Sequence, residues 1–123
     1  MFTLRSQHTE AFDQDIRRRF ENRMVAHLNQ FFPARCQALG EPAVREWISH
    51  GIGRAAGYGI VAERDACKYI DVMFVFGRDF DIDPLNPWAA PILTARAVDP
   101  TDKANHLLQT ARRKTTGREH GHA

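Results

Sequence analysis

Long apolar stretches are missing from this chain. Its longest uninterrupted apolar run is Val72 to Phe76, far short of the ~20 residues that cross a bilayer as a helix. A strong excess of one charge is missing too. The net charge is +2, which gives no strong pull toward nucleic acid. Cysteine is scarce, with only Cys36 and Cys67. The opening MFTLRSQHTEAFDQD turns acidic before any apolar core develops, so no secretory leader is expected. Two free thiols in a reducing cytoplasm is the simpler reading. Internal repeats and low-complexity tracts are absent, which excludes solenoid and linker architectures.

The usual chemical signatures are absent as well. The sequence contains no H-E-x-x-H and no Cys/His quartet, so no zinc site is indicated. GIGRAAG, Gly51 to Gly57, resembles a phosphate-cradling loop only in part. Ala56 stands where the third glycine of a dinucleotide fingerprint belongs, and the preceding AVREWISH reads as helix rather than strand. Close packing against another helix explains Gly51 and Gly53 better. Ser49 and His50 are neighbours on a helix and point about 100° apart, so they make no nucleophile–base pair. Cys67, on a helix, reads as a small core residue. The triple arginine Arg17 to Arg19 fans around its helix as a solvated face.

What is present suits a folded domain. The 123 residues are 43% apolar and 26% charged, with eight phenylalanines and two tryptophans. One domain is expected over residues 1–111, followed by a basic C-terminal tail, 112–123, that stays mobile. Phe12, Ile16, Phe20, Met24 or Val25, Leu28 and Phe31 mark one stripe of a long helix. Ser6 or Thr9 caps it, and a short turn runs from Pro33 to Gly40. Pro42 opens a second helix with the stripe Val44, Trp47, Ile48, Ile52 and Ala55. A third begins near Ala62 with Glu63 and Asp65 in its first turn. Its continuation, KYIDVMFVFG, mixes helix and strand signals. It reads as helix because no second strand is available to pair with it. Pro87 opens a short helix carrying Trp88, Ile92 and Leu93. Asp99 caps a last helix that starts at Pro100 and buries Leu107 and Leu108.

One segment stands out. GRDFDIDPLNPW, Gly77 to Trp88, carries Asp79, Asp81 and Asp83 at alternate positions. D-x-D-x-D opens a calcium-binding EF-hand loop, but the match fails where it matters. The sixth position is Pro84 instead of the glycine that makes the sharp turn. The twelfth is Ala90 instead of a bidentate glutamate. The competing readings are a rigid loop whose carboxylates bond inward and a docking element beside a tryptophan. In the docking reading Phe80 and Trp88 are apolar anchors, and Asp79, Asp81 and Asp83 supply complementary charge. Alternation would let Phe80 and Ile82 pack while the acids stay wet. Glu63, Arg64 and Asp65 are expected to form a polar network with a neighbouring helix or with this loop, Arg64 being the natural partner of a loop aspartate.

HLNQFFPARCQALG followed by IGRAAGYGIVAERDACKYIDVMFVFGRDFDIDPLNPWAAPIL resembles a family of small bacterial proteins encoded beside the PAAR-repeat and VgrG genes of type VI secretion systems. The resemblance covers about residues 10–95. Its most specific pieces are Tyr58-Gly59-Ile60, Glu63-Arg64-Asp65 and Phe80-Asp81 to Pro87-Trp88. Val61, where a helix-capping hydroxyl is expected, and Gly53 depart from the pattern. The resemblance implies a co-chaperone-like accessory working with an effector-loading adaptor, and it carries no catalytic residues. The expectation is therefore an all-α domain of about five helices and a non-enzymatic, cytoplasmic binding protein. It takes no cofactor, metal, nucleic acid or membrane. It meets an effector or its adaptor through Asp79, Phe80, Asp81, Asp83 and Trp88. The alternatives are an immunity-type toxin inhibitor and a small metal protein or enzyme.

Overall fold

The computed structural model of the chain describes the backbone of residues 2–122 and the side chains of residues 13–116. Among the described residues there are six helices and no strand. They are α1 (Phe2–Phe31), α2 (Pro33–Leu39), α3 (Glu41–Gly57), α4 (Glu63–Phe76), α5 (Ala89–Leu93) and α6 (Pro100–His122). The fold is all-α, as the periodicities predict. The helix beyond the expected five is α2, where a turn was expected. Pro33 does not break the chain there but opens a new helix, since the first turn has no use for its missing N–H. Gly40 ends α2 at φ +82°, a left-handed conformation that glycine adopts freely. No helix is long and apolar enough to cross a membrane among the described residues.

The chain separates into two compact units, residues 1–45 and 46–123, with α3 beginning in the first and ending in the second. In the first unit α1 packs on α2. Phe20, Met24 and Leu28 are buried at steps of four, and Cys36 is buried on α2. The stripe is shorter than its sequence suggests, because Ile16 is 39% and Phe31 59% exposed. Phe12 and the proposed caps Ser6 and Thr9 lie outside the described side chains.

The second unit is built on α4. Ala66, Tyr69, Ile70, Val72, Met73 and Phe74 are all buried on it. This settles KYIDVMFVF as helix and explains its apolar residues on several faces. α6 packs against α4 and α5 and contributes Ala104, Leu107 and Ala111 to the core, while Leu108 is only half-buried. Its start is as the sequence indicates: Asp99 Oδ2 accepts from the N–H groups of Thr101 at 3.0 Å and Asp102 at 3.3 Å. Arg112 to Thr116 continue this helix, so the tail expected from residue 112 does not begin with a helix end; residues 117–123 lie outside the described side chains.

A second polar clasp joins α4 to α6. Asp65, 1% exposed, accepts from Thr101 Oγ1 at 2.7 Å and from Lys68 Nζ at 3.2 Å, and Lys68 also donates to Asn105. Burial alone would raise the Asp65 pKa, but the bonds from Thr101 and Lys68 outweigh it and hold the carboxyl below its usual range. The expected network with a neighbouring helix is therefore present at Asp65.

Gly51 has a packing reason. A Cβ built there would stand 2.6 Å from Met73 Sδ and 2.8 Å from Ile70 Cγ1, so α3 and α4 meet too closely for a side chain. Gly53 has nothing within 4 Å and no such reason.

Candidate functional site, the loop between α4 and α5

The loop starts because α4 must stop. Gly77 takes φ +119°, closed to residues with a Cβ, and its N–H closes the last turn of α4 on Met73 O. The chain then advances by successive tight turns. Phe80 N–H donates to Gly77 O, Ile82 to Asp79, Asp83 to Phe80, Asn86 to Asp83 and Ala89 to Asn86. Such i→i+3 bonding has a period near three. A period-two alternation of packed and wet residues therefore does not arise. Phe80 and Asp81 turn inward together, at 1% and 3% exposure, while Ile82 is 65% and Leu85 86% exposed.

Each aspartate has work inside the loop's own surroundings. Asp81 Oδ2 accepts from Arg54 Nε at 2.9 Å, from Arg54 Nη2, and from Tyr58 Oη at 2.7 Å. Three donors on one oxygen fasten the loop to the C-terminal end of α3. Asp81 Oδ1 and Tyr69 Oη are buried without a hydrogen-bond partner among the described residues. Asp79 stands 3.4 Å from Arg78 Nη1 and 3.2 Å from His50 Nε2. Arg78 also grips Glu46, whose carboxyl it holds below the usual range by hydrogen bonding. Asp83 Oδ1 accepts the Leu85 N–H at 2.9 Å, an Asx turn over Pro84. The three carboxylates share no partner, and they form no three-ligand cluster among the described residues.

Aromatic rings form the floor. Trp88 lies edge-on to Phe76, with centroids 5.1 Å apart, and stacks over Phe80 at 6.3 Å. Phe80 meets Tyr69 at 5.1 Å, and Tyr69 meets Tyr58 at 6.3 Å. Burial, and then the bond to Asp81, push the Tyr58 hydroxyl up to about 12. Burial and the nearby Asp81 carboxylate drive Tyr69 higher still. Beside the loop a cleft of about 490 Å³ is lined by Phe76, Asp83, Leu85, Asn86, Pro87, Trp88 and Lys114.

Of the five residues expected to meet a partner, Asp79 and Asp83 stay at or near the surface and Trp88 is half-buried. Phe80 and Asp81 are not on the surface at all: the turns fold them beneath the loop, where they hold it. The arginine at Asp81 is Arg54, not Arg64, which is exposed in the first turn of α4. α5 begins at Ala89 rather than Pro87, with Trp88 as its N-cap. The sequence reading gave no role to Arg54 or to Leu85 as an exposed tip, and named Tyr58 only within the Tyr58-Gly59-Ile60 piece of the resemblance, not as a partner of the loop. One signal was available: Arg54 and Tyr58 lie four apart on a helix end and so share a face.

No protein-family model, curated protein or solved structure matches this chain.

Proposed function

We propose that this chain is a non-enzymatic, cytoplasmic protein-binding accessory of a bacterial type VI secretion system, a co-chaperone or adaptor in effector loading. It docks its partner through the Ile82–Leu85 tip. One observation supports docking above the rest: two exposed apolar side chains sit on a loop that Asp81 ties down from beneath and the Asp83 turn closes from within. A tip so held loses little freedom on binding, so its apolar surface converts efficiently into affinity. Leu85 and Ile82 are the anchors and the edge of Trp88 extends the patch. The secretion setting rests on the sequence resemblance. A binding role also accords with the thiol chemistry. Burial, and then Asp71, push Cys67 up to about 11, leaving it protonated and a poor nucleophile at neutral pH.

Co-expression with the products of adjacent genes tests the proposal. A stable partner should co-purify with the natural chain and be lost from Leu85→Asp. A loader raises the effector's yield or export and leaves its activity intact. Retention of the partner by Leu85→Asp would contradict the docking role, and loss of effector activity on binding would contradict loading.

A further inference from the structure

The cleft beside the tip carries two charges of opposite sign. Asp83 and Leu85 line it from the loop and Lys114 from α6, with Phe76 and Trp88 between them in the lining. Asp83 Oδ1 accepts the Leu85 N–H, which leaves the carboxylate's charge in place. Lys114 is exposed, and neither Asp83 nor Lys114 has an ion-pair partner among the described residues. The two therefore line one cleft without neutralising each other. Leu85 and Ile82 stand exposed beside it. An apolar knob, an aromatic cleft, an acid and a base thus share one patch. A purely acidic or purely basic occupant would satisfy one charge and oppose the other. A surface that presents both charges, with an apolar side chain to fill the cleft, is this same patch on a second copy.

We propose that the chain pairs with a second copy of itself through this patch, about a two-fold axis. Leu85 of each copy lodges against Phe76 and Trp88 of the other, and Asp83 of each meets Lys114 of the other. In such a pairing residue i meets j and j meets i, so every contact is made twice. Pairing needs no client, and it takes Leu85 and Ile82 out of water when none is present. The patch is small, so the dimer is weak and depends on concentration.

Sedimentation velocity of the intact chain over a concentration series up to about 1 mM tests this, with Leu85→Asp, Lys114→Glu and Asp83→Asn alongside. Leu85 and Lys114 are exposed, and Asn keeps the oxygen that accepts the Leu85 N–H, so all three variants keep the fold. The natural chain should pass from monomer to dimer as concentration rises, and Leu85→Asp should stay monomeric. Lys114→Glu should dimerise about tenfold more weakly and Asp83→Asn about threefold. Mixed together, these two variants should pair more tightly than either does alone, because Lys114 of one then meets Asp83 of the other. A natural chain that stays monomeric throughout would overturn the inference. So would a dimer that Leu85→Asp leaves unchanged, or one indifferent to both charge substitutions. None of these outcomes touches the docking of a client, since no client is present.

Discussion

Gly51 and Gly53 look alike in the sequence, two helical glycines two positions apart, yet they should respond oppositely to alanine. At Gly51 the added methyl collides with Met73 and Ile70 in a filled core, so Gly51→Ala should destabilise by about 1–3 kcal/mol. At Gly53 the methyl meets nothing, and the gain in helix propensity should stabilise by about 0.5–1 kcal/mol. Urea denaturation of the two variants measures both, and equal signs would refute the α3–α4 approach. The two tyrosines give a second residue-scale test. Both hydroxyls are raised, Tyr58 to about 12. A raised folded-state pKa means stability that is complete below the unfolded value near 10 and is lost as pH climbs through the folded value. Absorbance at 295 nm should therefore show no tyrosinate step near pH 10 in the folded chain. A step there would place one ring in water. The Gly51 contact was legible in the sequence as a demand for close approach. Its partners were not, because helix periodicity says which face is buried and not which residues meet it.

At the scale of the element, the loop between α4 and α5 was the segment the sequence marked out; Phe80 packs and Asp79 stays exposed as expected, but at Asp81 and Ile82 inside and outside were exchanged. Alternating residues suggested an extended segment with wet acids. The chain instead turns at every third residue, so Asp81 is buried and Ile82 exposed. Period-two patterning carries information only where the backbone is extended, and Pro84 and the aspartates favour turns. Helices were more legible: α4 was recognisable because no strand could pair with it, and α6 because Asp99-Pro100 is a cap followed by a first helical residue. Removing the inward bond tests the loop as an element. Asp81→Ala leaves Arg54 and Tyr58 without their acceptor and should cost about 2–3 kcal/mol, less than a fully enclosed pair because Arg54 is a third exposed. Amide hydrogen exchange should accelerate at Ile82, Asp83 and Asn86, whose N–H groups hold the turns, before it changes in α4. Unchanged protection there would mean that the turns hold the loop without Asp81.

For the whole chain, a net charge of +2 hides an uneven division of labour. Of the loop's acids only Asp81 is absorbed within the fold; Asp79 and Asp83 stay at or near the surface, beside the exposed Leu85 and Lys114. Function at this scale was the least legible level. Composition limited it only so far: no apolar run is long enough for a helix that crosses a membrane, and the common metal and nucleotide motifs are absent. A binding surface has no spacing rule of its own, and its partner lies outside the chain. The most direct test is the partner's dissociation constant for Leu85→Asp and Asp81→Ala, each at a temperature where the variant is folded and with its melting temperature alongside. The account predicts that Leu85→Asp melts with the natural chain but binds at least tenfold more weakly, while Asp81→Ala melts several degrees lower. Leu85→Asp binding its partner as tightly as the natural chain does would contradict it.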